Sequence, residues 1–178
     1  EAGYVYIGMD HFALPGDELA RALENGTLQR NFQGYSTHAD CDLVGLGASS
    51  IGKIGDCYSQ NHKTLEDYTA AVEAGLLPVA RGLNLNFDDV LRREVINQLI
   101  CRFRLDIPDL EARFGIGFHD YFSGELEGLV DMAADGLLGV DADGIAVSPT
   151  GRLLIRNICM VFDRYLQRTA PERFSRAI

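Results

Sequence analysis

The sequence predicts an α/β first half followed by a mostly helical second half that carries a small β-hairpin. Three observations predict it. Strand-like and helix-like segments alternate as far as residue 75, which is the rhythm of α/β architecture. The character changes near Leu83, beyond which long amphipathic helices dominate. Two short strand-like runs around Asp143-Gly144 then interrupt those helices. The division that follows is a first unit over residues 1–83 and a second over residues 84–178.

YVYIGM at residues 4–9 is aromatic and β-branched enough for a strand, and Pro15-Gly16 breaks the chain after it. DELARALENG fits a helix, with acidic residues in its first turn, Leu19 and Leu23 four apart, and Gly26 at its end. DLVGLGASSI at residues 42–51 is apolar and small-residue-rich without clean alternation. That pattern predicts a strand covered on both faces, as in a parallel sheet. Gly45, Gly47, Gly52 and Gly55 fall in and after it, and glycine inside a strand marks a bend or a close approach. KTLEDYTAAVEAG predicts a helix with Leu65, Tyr68 and Val72 on one stripe and Gly75 as its stop.

In the second half, Asn86 or Asp88 caps a helix on which Leu91, Val95, Leu99 and Phe103 repeat every fourth residue. Pro108 suits the first turn of a short helix ending at Gly115. A further helix is predicted over residues 118–135, with Phe122, Leu126, Leu129 and Ala133 inward and Gly136 as its stop. LLGVDADGIAV predicts a hairpin turning at Asp143-Gly144. Ser148-Pro149 opens a last helix with Ile155, Ile158, Cys159, Phe162 and Leu166 on its buried stripe. Helices followed by such a hairpin make a winged-helix-like unit.

At 178 residues with a formal net charge of −10, the chain is a poor candidate for a protein whose main task is neutralising a phosphate backbone. No apolar run approaches the roughly 20 residues of a membrane helix, and the start does not resemble a signal peptide. A soluble cytoplasmic protein, without nucleic acid or membrane as partner, is the expectation. Cys41, Cys57, Cys101 and Cys159 form no C-x-x-C pair, so reduced and mostly buried thiols are expected, with no metal ligands. The chain opens at Glu1 and enters strand-like sequence at once, as a piece of a longer protein does.

Several residues carry chemistry in principle. NFQGY, residues 31–35, combines an aromatic face in Phe32, an amide in Gln33 and a glycine turn, which suits a pocket for a flat ligand. Asp10 and His11 could form an acid/base pair, against which stands a simple hydrogen-bonded histidine at a strand end. His38, Asp40, Cys41 and Asp42 cluster but match no metal-ligand spacing, and read as a polar loop. Arg92, Arg93, Arg102 and Arg104 read as salt-bridged and solvated. Arg152 and Arg156, four apart near the wing, are the local argument for an interaction module that contacts nucleic acid or protein.

At YIGMDHFALPGDELA, RNFQGYST, DLVGLGASSIG, IGDCYSQN and GRLLIRNICMVFDRYL the sequence resembles the oxygen-independent coproporphyrinogen III oxidase family, radical S-adenosylmethionine enzymes of haem biosynthesis. The resemblance runs from Tyr4 to the closing RFSRAI and is to the C-terminal portion alone. It implies that residues 1–83 are the last strands and helices of an incomplete (β/α) barrel, and that residues 84–178 are the helical domain beside it. It also implies S-adenosylmethionine and a 4Fe-4S cluster as cofactors of the full-length enzyme, with the cluster's cysteines outside this chain.

The chemistry implied is reductive cleavage of S-adenosylmethionine to a 5′-deoxyadenosyl radical, which takes hydrogen from a propionate of coproporphyrinogen III. Loss of carbon dioxide and an electron leaves a vinyl group, on the way to protoporphyrinogen IX. The partners implied are that substrate and an electron donor. By the same resemblance Phe32 and Gln33 lie at a second S-adenosylmethionine, and Ile51 helps hold the cluster-bound one. The fragment by itself is expected to be inactive and to self-associate through an unpaired strand edge. The rival readings are the winged-helix-like interaction module and a haem-binding paralogue of the oxidase.

Overall fold

Met9 and Asp10 both adopt positive φ, 42° and 66°, the geometry that reverses a strand most tightly. In the computed structural model, which describes residues 2–39 and 41–166, they join β1 (Val5–Gly8) to β2 (His11–Ala13) as an antiparallel pair. Helix α1 (Glu18–Glu24) follows. The Asp17 carboxylate caps it by accepting the Leu19 N–H at 2.8 Å. Ala20 and Ala22 are its buried residues, while the expected Leu19 and Leu23 are half-buried. A second hairpin, β3 (Gln29–Asn31) and β4 (Gly34–Ser36), turns at Phe32 and Gln33.

The glycine-dense run differs from the expected buried strand. Residues 42–50 are irregular, tied to the next strand by a single bridge from Leu43 to Lys53. Regular pairing begins with β5 (Ile51–Ile54), which turns at Gly55-Asp56 into β6 (Cys57–Asn61). The physical reason lies in the backbone. Gly47 and Ser49 sit at φ +97° and +62°, outside the strand region, and the Asn61 amide donates to the Gly45 and Gly47 carbonyls at 3.0 and 2.9 Å. The glycines do serve close packing. A Cβ on Gly45 would stand 3.0 Å from the Ile51 carbonyl carbon, and one on Gly52 would stand 2.9 Å from the Leu43 oxygen.

Helix α2 (Leu65–Glu73), capped by Thr64, leads to β7 (Val79–Asn84), which pairs with β6 to give the sheet order β5-β6-β7. Every paired strand among the described residues is antiparallel, so the parallel sheet expected from the alternation is corrected. The α2 stripe lies uncovered by the described residues. Leu65 and Val72 are exposed, Tyr68 is half-buried, and no residue of the helix is buried.

The second half packs a continuous core. Helix α3 (Phe87–Arg102) starts in a capping box between Asn86 and Asp89 and buries Leu91, Val95 and Leu99; Phe103, buried as well, is its left-handed C-cap. β8 (Arg104–Asp106), unforeseen in the sequence, runs into α4 (Ile107–Phe114), which ends at Gly115. The helix expected over residues 118–135 is two, α5 (Phe118–Tyr121) and α6 (Ser123–Ala134), because Phe122 at φ −106°, ψ 25° leaves the helical path to bury its ring.

β9 (Leu138–Val140) and β10 (Gly144–Val147) form the hairpin, and β8 adds to give the order β8-β10-β9. Gly144 belongs to the strand. Asp141 shapes the turn by accepting the N–H groups of Asp143 and Gly144 at 2.9 and 2.8 Å. The last helix is likewise divided at Leu154, into α7 (Pro149–Leu153), capped by Ser148, and α8 (Ile155–Val161). Ile155, Ile158, Cys159 and Phe162 are buried as expected and Leu166 is half-buried; the RFSRAI end lies outside the described residues. Leu91, Leu99, Phe118, Phe122, Ile158 and Phe162 are all fully buried, each worth roughly 1.5–3 kcal/mol in apolar burial.

Candidate functional site

One face of α3 carries Arg93 and Asn97, with the buried Ile100 continuing the row at four and three residues' spacing. It forms one wall of a cleft of about 730 Å³. The β3–β4 hairpin supplies Arg30 and Phe32 to a second wall, and the sheet supplies Lys53, Tyr58 and Leu83. Helix and hairpin are tied together by the Asn97 amide, which donates to Gln29 Oε1 at 2.5 Å. Phe32, 55 % exposed, meets the Tyr58 ring edge-on at 5.1 Å between centroids.

Charge inside the cleft is organised by α3. Arg92 donates from Nε to Asp88 at 2.8 Å and from Nη1 to Glu125 at 2.6 Å and to the Phe162 carbonyl at 3.1 Å. Burial pushes the Asp88 carboxyl up, but donors on Tyr121, Arg92 and Arg164 outweigh it and hold that carboxyl below its ordinary range. Glu94 behaves alike: burial raises it, and Gln98 with Arg113 brings it down. Arg93 reaches Asp56 at 2.7 Å through Nη2. Arg30 lies over the Tyr35 ring at 5.0 Å, and the Tyr35 hydroxyl, pushed up chiefly by burial, donates to the Ile100 carbonyl at 3.1 Å.

Of the residues singled out in the sequence, the structure brings Phe32 to the cleft. Gln33 occupies the same turn with its side chain exposed and its N–H on Asn31 Oδ1 at 2.8 Å. Ile51 opens β5 opposite Gln60, half-buried; neither it nor Gln33 is part of the cleft lining. His11 Nδ1 stands 2.9 Å from the Met9 carbonyl and its ring meets Tyr35 edge-on, the strand-end histidine of the simpler reading. His38 and Cys41 line the cleft, Asp42 accepts the Gly55 N–H at 2.8 Å, and Asp40 lies outside the described residues.

Arg152 lies over the Phe103 ring at 4.7 Å and Arg156 is exposed. Arg30, Arg93 and Asn97 were not singled out as cleft residues. The signal for Arg93 and Asn97 was their row with Ile100 at i, i+4, i+7 on α3.

The chain's own thiols do not fit an iron–sulfur cluster. Cys101 and Cys159 are buried in the core, and burial pushes both thiols up to about 12, whereas ligation needs thiolates. Cys57 is half-buried on β6 and Cys41 is exposed. Among the described residues no three His, Cys, Asp or Glu side chains gather as a metal site, and no helix there is long and apolar enough to cross a membrane.

Residues 85–154 match the model of the HemN C-terminal domain. The whole chain is similar to oxygen-independent coproporphyrinogen III oxidases. That of Pseudomonas aeruginosa is 58 % identical over 177 residues, covering 99 % of this chain and 38 % of the relative. That of Escherichia coli K12 is 52 % identical over 179 residues, covering 100 % of this chain and 39 % of the relative. Among solved structures, one described as "Coproporphyrinogen III oxidase (HemN) from Escherichia coli is a Radical SAM enzyme" superposes with a TM-score of 0.88 at 53 % identity, over 92 % of this chain and 38 % of that one. The resemblance read from the sequence therefore holds. The chain spans under two-fifths of the length of these relatives.

Proposed function

We propose that this chain is the C-terminal portion of an oxygen-independent coproporphyrinogen III oxidase, a cytoplasmic enzyme that converts propionate side chains of coproporphyrinogen III to vinyl groups and yields protoporphyrinogen IX. The observation that carries this reading is the agreement along nearly all of this chain, 58 % identity in one relative and a TM-score of 0.88 in a solved one. In the full-length enzyme S-adenosylmethionine and a 4Fe-4S cluster supply the oxidising radical chemistry, with an electron donor as partner. The residues of this chain contribute the wall of the substrate cleft. Phe32 and Gln33 sit at a second S-adenosylmethionine and Ile51 at the cluster-bound one.

Residues 1–83 are the closing elements of the barrel and residues 84–178 the second domain. The order α3, β8, α4, α5, α6, β9, β10 with the sheet β8-β10-β9 supports a winged-helix-like shape for that domain. Its helix α6 carries Glu125, Glu127 and Asp131 and no Lys or Arg, which favours a packing role over nucleic-acid contact. Cut from the rest, residues 1–178 self-associate or rearrange through an unpaired strand edge.

The test is an anaerobic assay of the full-length protein with coproporphyrinogen III, S-adenosylmethionine and a reductant. It is expected to form protoporphyrinogen IX, while residues 1–178 alone form none. An iron–sulfur absorption band after reconstitution of residues 1–178 alone would contradict this reading.

A further inference from the structure

Two of the cleft's arginines are fully engaged. Arg92 and Arg164 share Asp88, and Arg92 also holds Glu125. The acids nearby are occupied too. Glu94 accepts from Gln98 and Arg113, Asp89 from the Asn86 N–H and the Tyr165 hydroxyl, and Asp163 from the N–H groups of Tyr165 and Leu166. Two buried donors are left over, both on arginine. Arg30 Nη1 and Arg93 Nη1 are buried with no hydrogen-bond partner among the described residues, and Arg30 forms no ion pair there.

A buried guanidinium nitrogen without an acceptor is costly, and native proteins rarely keep one unless a ligand or water completes it. Arginine stays charged at any working pH, and its planar fork matches a carboxylate. That two such donors line one cleft, in a chain of net charge −10, argues for an anionic occupant.

The two groups are anchored at different ends of the helical wall. Arg93 is pinned by Asp56 beside the β5–β6 turn, whereas Arg30 is stacked on Tyr35, which is bonded to Ile100. Arg93 and Ile100 are seven residues apart on α3, about 10 Å along its axis. Phe32, Tyr58 and Leu83 give the cleft apolar and aromatic surface as well.

We propose that Arg30 and Arg93 each seat one carboxylate of a single flat polycarboxylate ligand. This rests on the oxidase reading, in which that ligand is the tetrapropionate substrate. S-adenosylmethionine carries one carboxylate per molecule, so a single molecule of it cannot satisfy both arginines.

The test uses the full-length protein and coproporphyrin III, the stable oxidised counterpart of the substrate, with binding read from quenching of its fluorescence. Arg30→Gln and Arg93→Gln are each expected to weaken binding about tenfold, and the double variant about a hundredfold. Arg30→Lys keeps the charge without the fork and is expected to lose a few-fold; it also serves should Arg30→Gln fold poorly. S-adenosylmethionine affinity, read by calorimetry, is expected to stay unchanged in all of them. Wild-type porphyrin affinity in both single variants overturns the proposal. So does a double variant no weaker than one single, or an equal loss for S-adenosylmethionine. If these losses appear but the wild type makes no protoporphyrinogen IX, the oxidase reading fails and the two-carboxylate site stands. Turnover with unchanged affinity in the variants gives the reverse.

Discussion

Helices α2 and α3 make an instructive pair. Both begin with a side-chain cap on Thr64 or Asn86, both carry acidic residues in the first turn, and both present an apolar stripe. Yet α3 buries seven residues, Leu91, Val95 and Leu99 among them, and α2 buries none. Around α2 the exposure continues: Leu65 is 71 % exposed and Leu77 85 %. The difference teaches that amphipathic spacing reports a face that packs well, while the partner that covers it has to be found separately.

The largest effect that could break this comparison is a truncation in each region. Leu99→Ala removes a fully buried side chain from the α3 core and is expected to cost about 3 kcal/mol or more in chemical denaturation, with a cavity left behind. Leu77→Ser, at an exposed position, is expected to change stability by under about 0.5 kcal/mol. Equal losses would mean that the two regions share one core.

A smaller effect sharpens the comparison from the charged side. The Asp88 and Glu94 carboxyls on α3 are held below their ordinary ranges. A depressed native value means that the unfolded chain takes up the proton first, so the stability these groups add is present at neutral pH. It is lost as pH falls through and below the ordinary carboxylate range. Thermal unfolding of the wild type is expected to lose midpoint steadily below about pH 4.5, and a variant carrying Asp88→Asn and Glu94→Gln should lose less over the same interval. Parallel curves would deny these two ion networks any role.

The second half was largely legible. The four-residue spacing of Leu91, Val95, Leu99 and Phe103 identified α3 and its buried face, and Pro108, Gly115 and Ser148-Pro149 marked helix ends because their backbone chemistry is local. Strand β8 was hidden, since RLD is three residues long and takes its strand pairing from β10, distant in sequence. Residues 42–50 misled because small apolar residues suit a buried strand, whereas Gly47, Ser49 and the Asn61 amide settle their path through contacts distant in sequence. At the site, Phe32 was legible from NFQGY. Arg30 and Arg93 were not, because an arginine's sequence neighbours do not tell whether its guanidinium finds a carboxylate.

Amide hydrogen exchange on the native chain tests the contrast between the two regions most directly. The α3 amides from Leu91 to Ile100 are expected to exchange only through global unfolding. Those of α2, with no buried side chain to hold them, should exchange through local opening at least a hundredfold faster. Protection of the α2 amides equal to that of Leu99 would contradict the account.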